Sequence, residues 1–551
     1  MKRSSSLNPE EVPIFNGMKK LFYTLLLFFA ASTLHAQDNA TAPSYGDRLV
    51  VGTIGEPSVL IPMLASDSAS HDVSGLCYNG LVKYDTDLTV IGDLAKSWEV
   101  SPDGLTITFH LLPDVHWEDG APFTAHDVEF GFKTITNPDT PTAYAEDFRQ
   151  VVKFEIIDPL TFRVTYDKPF APALTSWGNM TVLPSHLLAG KDITKNELTR
   201  KPLGLGPFSF KEWASGEKIV MEANKTYFEG RPYLDSYIYR FIPDAATLFL
   251  ELQAGNIDLM TLTPLQYSRQ TDTDYFKKNF QKFKYPLFTY VYFAFNFLHP
   301  YFQDKRVRQA IAHAIDKQEI IDGVLLGLGE PATGPYVPNT WPYNPDVKKY
   351  DFNLEKARQL LFDAGWRDTD GDGLLDRDGK PFEFSVLVGM GNSVRLNTAT
   401  IIQWRLEQLG IKMNIRVLEW STLINEFIDK RRFEAILLGW SIGLDPDQYD
   451  IWHSSKTGEK QLNFISYKNK AVDELLEKGR RVFDVQERKK IYYRMQELLA
   501  EDVPYIFLYV PYSLPIVSSR ICNIKPAPIG ISYNLPKWYV PKKLQKNAPV
   551  P

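Results

Sequence analysis

The sequence predicts a layered α/β protein with a small α+β unit set into a larger frame. Three observations carry this. The chain has 551 residues, 44% hydrophobic and 23% charged, the composition of an ordinary soluble globular protein and the length of about three or four structural units. Strand-like and helical runs alternate through its second half, which argues for stacked α/β layers. Between residues 98 and 166 the pattern changes to short strands broken by tight turns.

Taken in order, Lys19 and Lys20 precede an apolar run from Leu21 to Ala31, followed by Ser32 to Gln37. A charged region, a short apolar stretch and a small-residue exit make a secretory signal peptide. Eleven apolar residues fall short of the roughly 20 that span a bilayer. Cleavage is expected after Ala36, and Met18 reads as the natural start, making residues 1–17 an extension. No cysteine stands near the cut, so no lipid anchor is expected there. Removing residues 1–36 lowers Lys+Arg from 61 to 57 and Asp+Glu from 67 to 65, a net charge of −8. The mature chain is thus acidic, with no basic field for nucleic acid.

Arg48 to Gly52 opens the fold as a strand. A loop rich in small residues follows, containing Ser66, Asp67 and Ser68, and Val73 to Val82 reads as a buried helix. Trp98–Val100 and Leu105–Phe109 are strands joined by the turn Ser101-Pro102-Asp103-Gly104. Thr124 caps a helix. Val151 to Ile157 and Thr161 to Tyr166 are strands turned at Asp158-Pro159. Leu287 to Phe297 alternates aromatic residues on both faces, the mark of a strand buried on both sides. Val307, Ala310, Ile311, Ala314 and Ile315 repeat at helical spacing, with Arg306, Arg308, Gln309 and Lys317 on the opposite face and His313 on the solvated flank. Helices are expected over 356–364, 399–409, 472–482 and 487–499, and strands over 382–387, 412–418 and 434–440. Cys77 and Cys522, the only two cysteines, make no disulfide scaffold.

The motifs weigh against catalysis. Gly439-Trp440-Ser441-Ile442-Gly443 follows a strand, as a hydrolase nucleophile elbow does, but Asp445-Pro446 stands where the helix should begin, and the only later histidine is His453. Asp368, Asp370, Asp372 and Asp376 resemble the start of a calcium loop, yet its twelfth position is Gly379 rather than a bidentate Glu. A tight acidic hairpin is the plainer reading, and no other metal spacing or cofactor motif occurs. What remains is a strand end carrying Trp440, Asp445 and Asp447. Ligands of open α/β sheets sit at such ends; Trp offers an apolar wall and Asp a charge-assisted partner for an ammonium group.

Several blocks together resemble the extracytoplasmic solute-binding proteins of peptide ABC transporters, the oligopeptide/dipeptide-binding family (solute-binding protein family 5). They are Leu94 to Thr106 with Phe109-His110-Leu111 and Trp117 to Val128; Gly204 to Phe208 with Asn224-Lys225 and Tyr227-Phe228; Phe295-Asn296 with Asp304 to Ile311; and Ala357 to Trp366 with its acidic loop. They run colinearly over nearly all of residues 46–545.

The resemblance implies a two-lobed periplasmic-binding-protein fold of the class II type, with an extra α+β domain and a two-segment hinge. The first lobe would comprise 46–82, 199–294 and 504–545, the extra domain 83–198, and the second lobe 295–503. The hinge would lie near Tyr292–Asn296 and Val503–Pro511. Extended peptide would be enclosed between the lobes, held by its backbone, and passed to the permease of an ABC importer; the protein would be a periplasmic monomer without cofactor. In this family an Asp three residues after the strand-end Trp commonly holds the peptide α-amino group. That position is Gly443 here, so Asp445 is the expected holder, with Asp67 the alternative. The expected ligand contacts are therefore Trp440, Ser441, Gly443 and Asp445 from the second lobe and Ser66, Asp67 and Ser68 from the first. Three other readings stand beside this one: the same fold holding an oligosaccharide, opine or metal chelate; a secreted serine hydrolase using Ser441; and a signalling adaptor presenting bound ligand to a receptor.

Overall fold

The computed structural model describes residues 42–546; the expected signal peptide lies outside the described residues. Two seven-stranded sheets form the frame. The first runs Phe280–Lys282, Pro515–Ser518, Leu259–Thr261, Arg48–Thr53, Ser236–Phe241, Lys218–Ala223, Phe208–Ala214. The second runs Tyr285–Pro286, Tyr505–Ser513, Thr289–Phe295, Ala435–Ser441, Glu383–Gly389, Lys412–Leu418, with Gly329–Pro331 added along Tyr505–Ser513. A separate antiparallel sheet, Ala95–Val100, Thr106–Leu111, Thr161–Tyr166, Val151–Asp158, forms the small unit.

Each large sheet is packed on both faces. The small unit shares a core with the first sheet: Phe109, Phe162 and Trp177 belong to one buried cluster with Phe208, Ile219 and Met221. Leu248, Leu252, Ile257 and Ile516 cover the opposite face. The second sheet has its own pair of cores, one built on Phe293, Val386, Ile402 and Leu437, the other on Tyr292, Trp452, Tyr492 and Leu499. The aromatic strand Thr289–Phe295 is central and buried on both faces, as its lack of polar alternation implies.

Three expectations need correction. The run expected as a helix from Val73 to Val82 is a short helix, Ser68–Ser74, followed by irregular chain and the strand Val82–Tyr84; its apolar residues pack between elements rather than along one helical face. The expected boundary at 294/295 falls inside a strand, and the two expected hinge segments, Tyr292–Asn296 and Val503–Pro511, lie largely within strands of one sheet. Thr289–Phe295 and Tyr505–Ser513 are paired neighbours in the second sheet, and Tyr285–Pro286 already belongs to it, so the chain changes sheets at 283–284 and at 513–515. Finally, helix Lys305–Ala314 is exposed only at Lys305 and Arg306: Arg308, Gln309 and His313 are 3%, 8% and 6% exposed. Helix Val485–Asp502 ends against them, and Arg308 donates to the carbonyls of Phe302, Gln303, Asp502 and Val503, supplying a cation and donors to a helix C-terminus. Cys77 and Cys522 are both free thiols.

Arg520 ties together the discontinuous pieces of the first sheet. It grips both oxygens of Asp258 at 2.7 and 2.6 Å, pairs with Asp47, and donates to the Arg48 carbonyl. Asp258, 2% exposed, also accepts from Val50 N. Breaking a buried pair leaves an uncompensated charge. Arg520→Met is expected to destabilise the protein by about 3–5 kcal/mol, read as a fall in the urea midpoint at unchanged slope.

Candidate functional site

Both sheets aim the carboxyl ends of their parallel strands at the same space. In the first, Arg48–Thr53 runs parallel to Ser236–Phe241 and Leu259–Thr261; in the second, Glu383–Gly389 runs parallel to Lys412–Leu418 and Ala435–Ser441. The segments that follow these strands meet. Gly391 lies so close to the first lobe that a Cβ would stand 2.2 Å from the Pro243 carbonyl oxygen, and its φ of +82° suits only glycine well. Trp420 donates its indole N–H to Asp67 Oδ1 at 3.4 Å and lies against Gly55. The two lobes thus face each other across a cleft built from strand ends, the usual ligand position of open α/β sheets.

Several sequence-expected groups line this cleft, and most are already engaged. Trp440 is half-buried, donates to Tyr505 Oη at 3.2 Å, and packs on Phe464. Ser441 ends its strand, exposed, and Gly443 is exposed with the Asp445 carbonyl oxygen 3.9 Å from where a Cβ would stand. Asp445 is held by Arg488 through both oxygens, at 2.8 and 3.0 Å, with side chains 15% and 7% exposed. Its charge is therefore compensated within the protein. Asp67, 2% exposed, caps helix Ser68–Ser74 and accepts from Ser70 N at 3.0 Å and from the hydroxyls of Ser70 and Ser58, both at 2.7 Å. Ser66 is half-buried and Ser68 exposed beside it. His453 stacks on Tyr449 and bonds Ser455, so it is committed away from a hydrolytic pairing with Ser441.

Two charged groups that sequence reasoning missed are not engaged in this way. Arg395 enters the site from the first turn of helix Ser393–Glu407, beyond the end of Glu383–Gly389. It lies over Gly439, where a Cβ would stand 3.0 Å from its Nη2. Tyr509 and Tyr292 are its electrostatic neighbours, with no carboxylate among them, and burial depresses its guanidinium. Asp72 follows His71 on helix Ser68–Ser74, where His71 Nε2 stands 3.3 Å from Tyr144 Oη. Among the described residues no cation faces Asp72; burial, then the neighbouring Asp67 carboxylate, pushes it up to about 6. The signal for Arg395 lay in the strand-end argument that selected Trp440, since the Glu383–Gly389 strand ends in the same way.

A buried charge cluster joins the small unit to the second lobe. Arg480, 4% exposed at its side chain, pairs with Asp447 at 2.7 Å and with Asp147 of the small unit. Its carbonyl accepts from Ala171 N, and its guanidinium lies over Tyr449. Lys456, equally buried, bridges Glu146 of the small unit at 3.0 Å and Asp450 at 3.2 Å. The lobes are therefore seen clasped. Elsewhere, ligand atoms of Asp368, Asp370 and Asp376 lie within 4.8 Å of one another. Their oxygens, with those of Asp372, accept from Thr369, Gly371, Asp372, Gly373 and Leu374, as in a self-satisfied turn.

Residues 89–461 match bacterial extracellular solute-binding proteins, family 5 Middle, and the chain belongs to that family. It is 36% identical over 543 residues to the oligopeptide-binding protein AppA of Bacillus subtilis, covering 95% of this chain and 98% of that one. The structure of that AppA in complex with a nonapeptide superposes with a TM-score of 0.87 at 35% identity, covering 91% of this chain and 100% of that one. NikZ from Campylobacter jejuni in complex with Ni(L-His) gives 0.82 at 27% identity, covering 90% and 99%. DppA from Helicobacter pylori in complex with the peptide STSA gives 0.80 at 29% identity, covering 91% and 99%. The two-lobed fold is that of the family, whose members are binding proteins rather than enzymes. No described helix is long and apolar enough to cross a membrane.

Removing Arg480 would leave Asp147 and Asp447 facing each other without their shared cation. Arg480→Met is expected to weaken closure by about 2 kcal/mol or more, seen as a larger radius of gyration by small-angle X-ray scattering and faster ligand release.

Proposed function

We propose that this member of solute-binding protein family 5 captures peptides in the cleft between its lobes and delivers them to the permease of an ABC importer. It acts as an exported, unanchored periplasmic monomer. The observation that carries the reading is Arg395, a guanidinium without a carboxylate partner among the described residues, lying over Gly439 at the strand ends of the second lobe; Asp72, on the first-lobe helix whose cap Asp67 meets Trp420, offers the opposite sign. A peptide is a zwitterion with one charge at each end, and these groups have the complementary signs. The likeness to AppA and DppA, both solved with peptides, supports the same substrate class.

In this mechanism the peptide enters the open cleft and its carboxylate settles on Arg395, a charge-assisted bond that also relieves an unpaired guanidinium. Its amino group takes Asp72. Asp445 and Asp67, with internal partners, shape the walls, and Trp440 supplies an apolar surface. Closure pivots on the two crossings at 283–284 and 513–515 and brings Trp420, Gly391 and the Arg480 clasp into contact with the opposing side. Contacts from both lobes are what make closure ligand-dependent.

Native mass spectrometry of the mature protein from a periplasmic extract tests the substrate class. A spread of added masses that fragment as short peptides is expected; one discrete non-peptide mass would move the reading to another solute.

Arg395→Met is expected to weaken peptides with a free carboxylate by about 1.5–3 kcal/mol in titration calorimetry, and C-terminally amidated peptides far less. The Asp72 contact needs the ionised carboxylate, so its contribution is present above about pH 6 and lost as pH falls through that value. Asp72→Asn should remove that acid limb, and N-acetylated peptides should lack it on the wild type.

A further inference from the structure

A second cavity lies against the second sheet; of the cleft residues described above, Tyr505 alone lines it. It measures about 270 Å³ and is bounded by the junction of helices Lys305–Ala314 and Lys317–Gly323, the chain after Gly329–Pro331, the loop 348–352, the end of helix Val485–Asp502, and the start of Tyr505–Ser513. Much of its wall is apolar, with Ile315, Leu499, Val503 and Phe507 among the lining residues. Among the described residues, the half-buried Lys317 in its wall has no ion-pair partner at contact distance. Lys317 Nζ donates to the Ala332 carbonyl at 2.8 Å, which leaves two hydrogens unused. Burial pushes its ammonium down to about 8, against the longer-range pull of Asp351.

The other charged groups around the cavity have other partners or stand farther off. Lys348 pairs with Glu501 at 2.8 Å. Asp316 caps helix Lys317–Gly323, accepting from the backbone of Gln318 and Glu319. Asp351 and Lys349 are exposed, and Tyr350 donates to the Ala500 carbonyl. A desolvated ammonium beside apolar walls gains from a compact anion that brings its own hydrocarbon. Size narrows the class: a benzene ring fits a cavity of about 150 Å³, so this one takes a ring with a short acid chain.

We propose that this cavity is a second ligand site, distinct from the peptide cleft, for a small monocarboxylate with an apolar body. The carboxylate bonds Lys317 Nζ and the body packs on Ile315, Val503 and Phe507. Such a ligand has one charged end and one greasy end, as the cavity has.

Phenylacetate is the probe, with neutral phenylacetamide as its control, titrated into the mature protein with the cleft empty and again with the cleft saturated by peptide. Phenylacetate is expected to bind in the millimolar range in both states and more tightly than the amide. Lys317→Met, close in size and apolar, should lose about tenfold or more in affinity, while keeping the wild-type melting temperature and peptide affinity. On the wild type, which needs no substitution, phenylacetate affinity should be retained at pH 7 and fall as pH rises past about 8, as the ammonium discharges. Competition by peptide would place the probe in the cleft instead and overturn the proposal. So would equal binding of amide and acid, an affinity unmoved by both Lys317→Met and high pH, or no binding at tens of millimolar.

Discussion

The architecture depends on one ladder, the antiparallel pairing of Thr289–Phe295 with Tyr505–Ser513 at the heart of the second sheet. Tyr505–Ser513 passes straight into the first sheet, and Thr289–Phe295 is reached from it through the two-residue strand Tyr285–Pro286. Because the two are hydrogen-bonded neighbours, both crossings leave the second lobe at one edge. Two adjacent connections define a single axis, about which two rigid packed lobes can turn without disturbing either core. Stacking of Tyr292 on Tyr505, ring centroids 4.0 Å apart, stiffens the pair, and the Tyr505 hydroxyl reaches Trp440 at the cleft. The same ladder therefore sets both the pivot and one wall of the site.

The lobes meet mainly through polar groups. Their buried apolar clusters remain separate, so closing adds little hydrophobic burial, and opening does not cost a core. The clasp at Arg480 and Lys456, the Trp420–Asp67 contact and the approach of Gly391 to Pro243 are local and specific. This division suits a binding protein: stability lies within the lobes, while the open–closed balance rests on a few contacts that a ligand can tip.

Local patterning made much of the fold legible. The stripe from Val307 to Ile315, the turn at Ser101 to Gly104 and the hairpin at Asp158-Pro159 all appear as structure at the expected places, because periodicity and turn chemistry act over a few residues. The lobe boundaries were less legible. Strands buried on both faces carry no polar alternation, so nothing marks which of their residues lie in a hinge. Arg308, Gln309 and His313 looked solvated on a helical wheel, which cannot show that helix Val485–Asp502 ends against them. At the site, the strand-end rule found Trp440, but residue type alone could not show that Asp445 is spent on Arg488, 43 positions away, or that Arg395 is not spent at all. Which charge is free is a property of the assembled lobes.

The clasp has a further consequence. It brings four carboxylates, those of Glu146, Asp147, Asp447 and Asp450, around two cations, an excess of negative charge drawn away from water. Burial, only partly offset by Lys456, pushes Asp450 up to about 6, and burial likewise raises Asp147 against the pull of Arg480. Part of that rise exists only when the small unit and the second lobe are together, so near pH 6 the closed molecule binds protons more tightly than the open one at Asp450 and Asp147; Glu146, whose burial is outweighed by Lys456, sits below the usual carboxylate range and stays ionised there. By linkage, closure takes up protons where Asp450 and Asp147 titrate, and acidification favours the closed form. The proton is in this sense a co-ligand of the clasped state, and the acidity of the compartment helps set how firmly the protein holds what it carries.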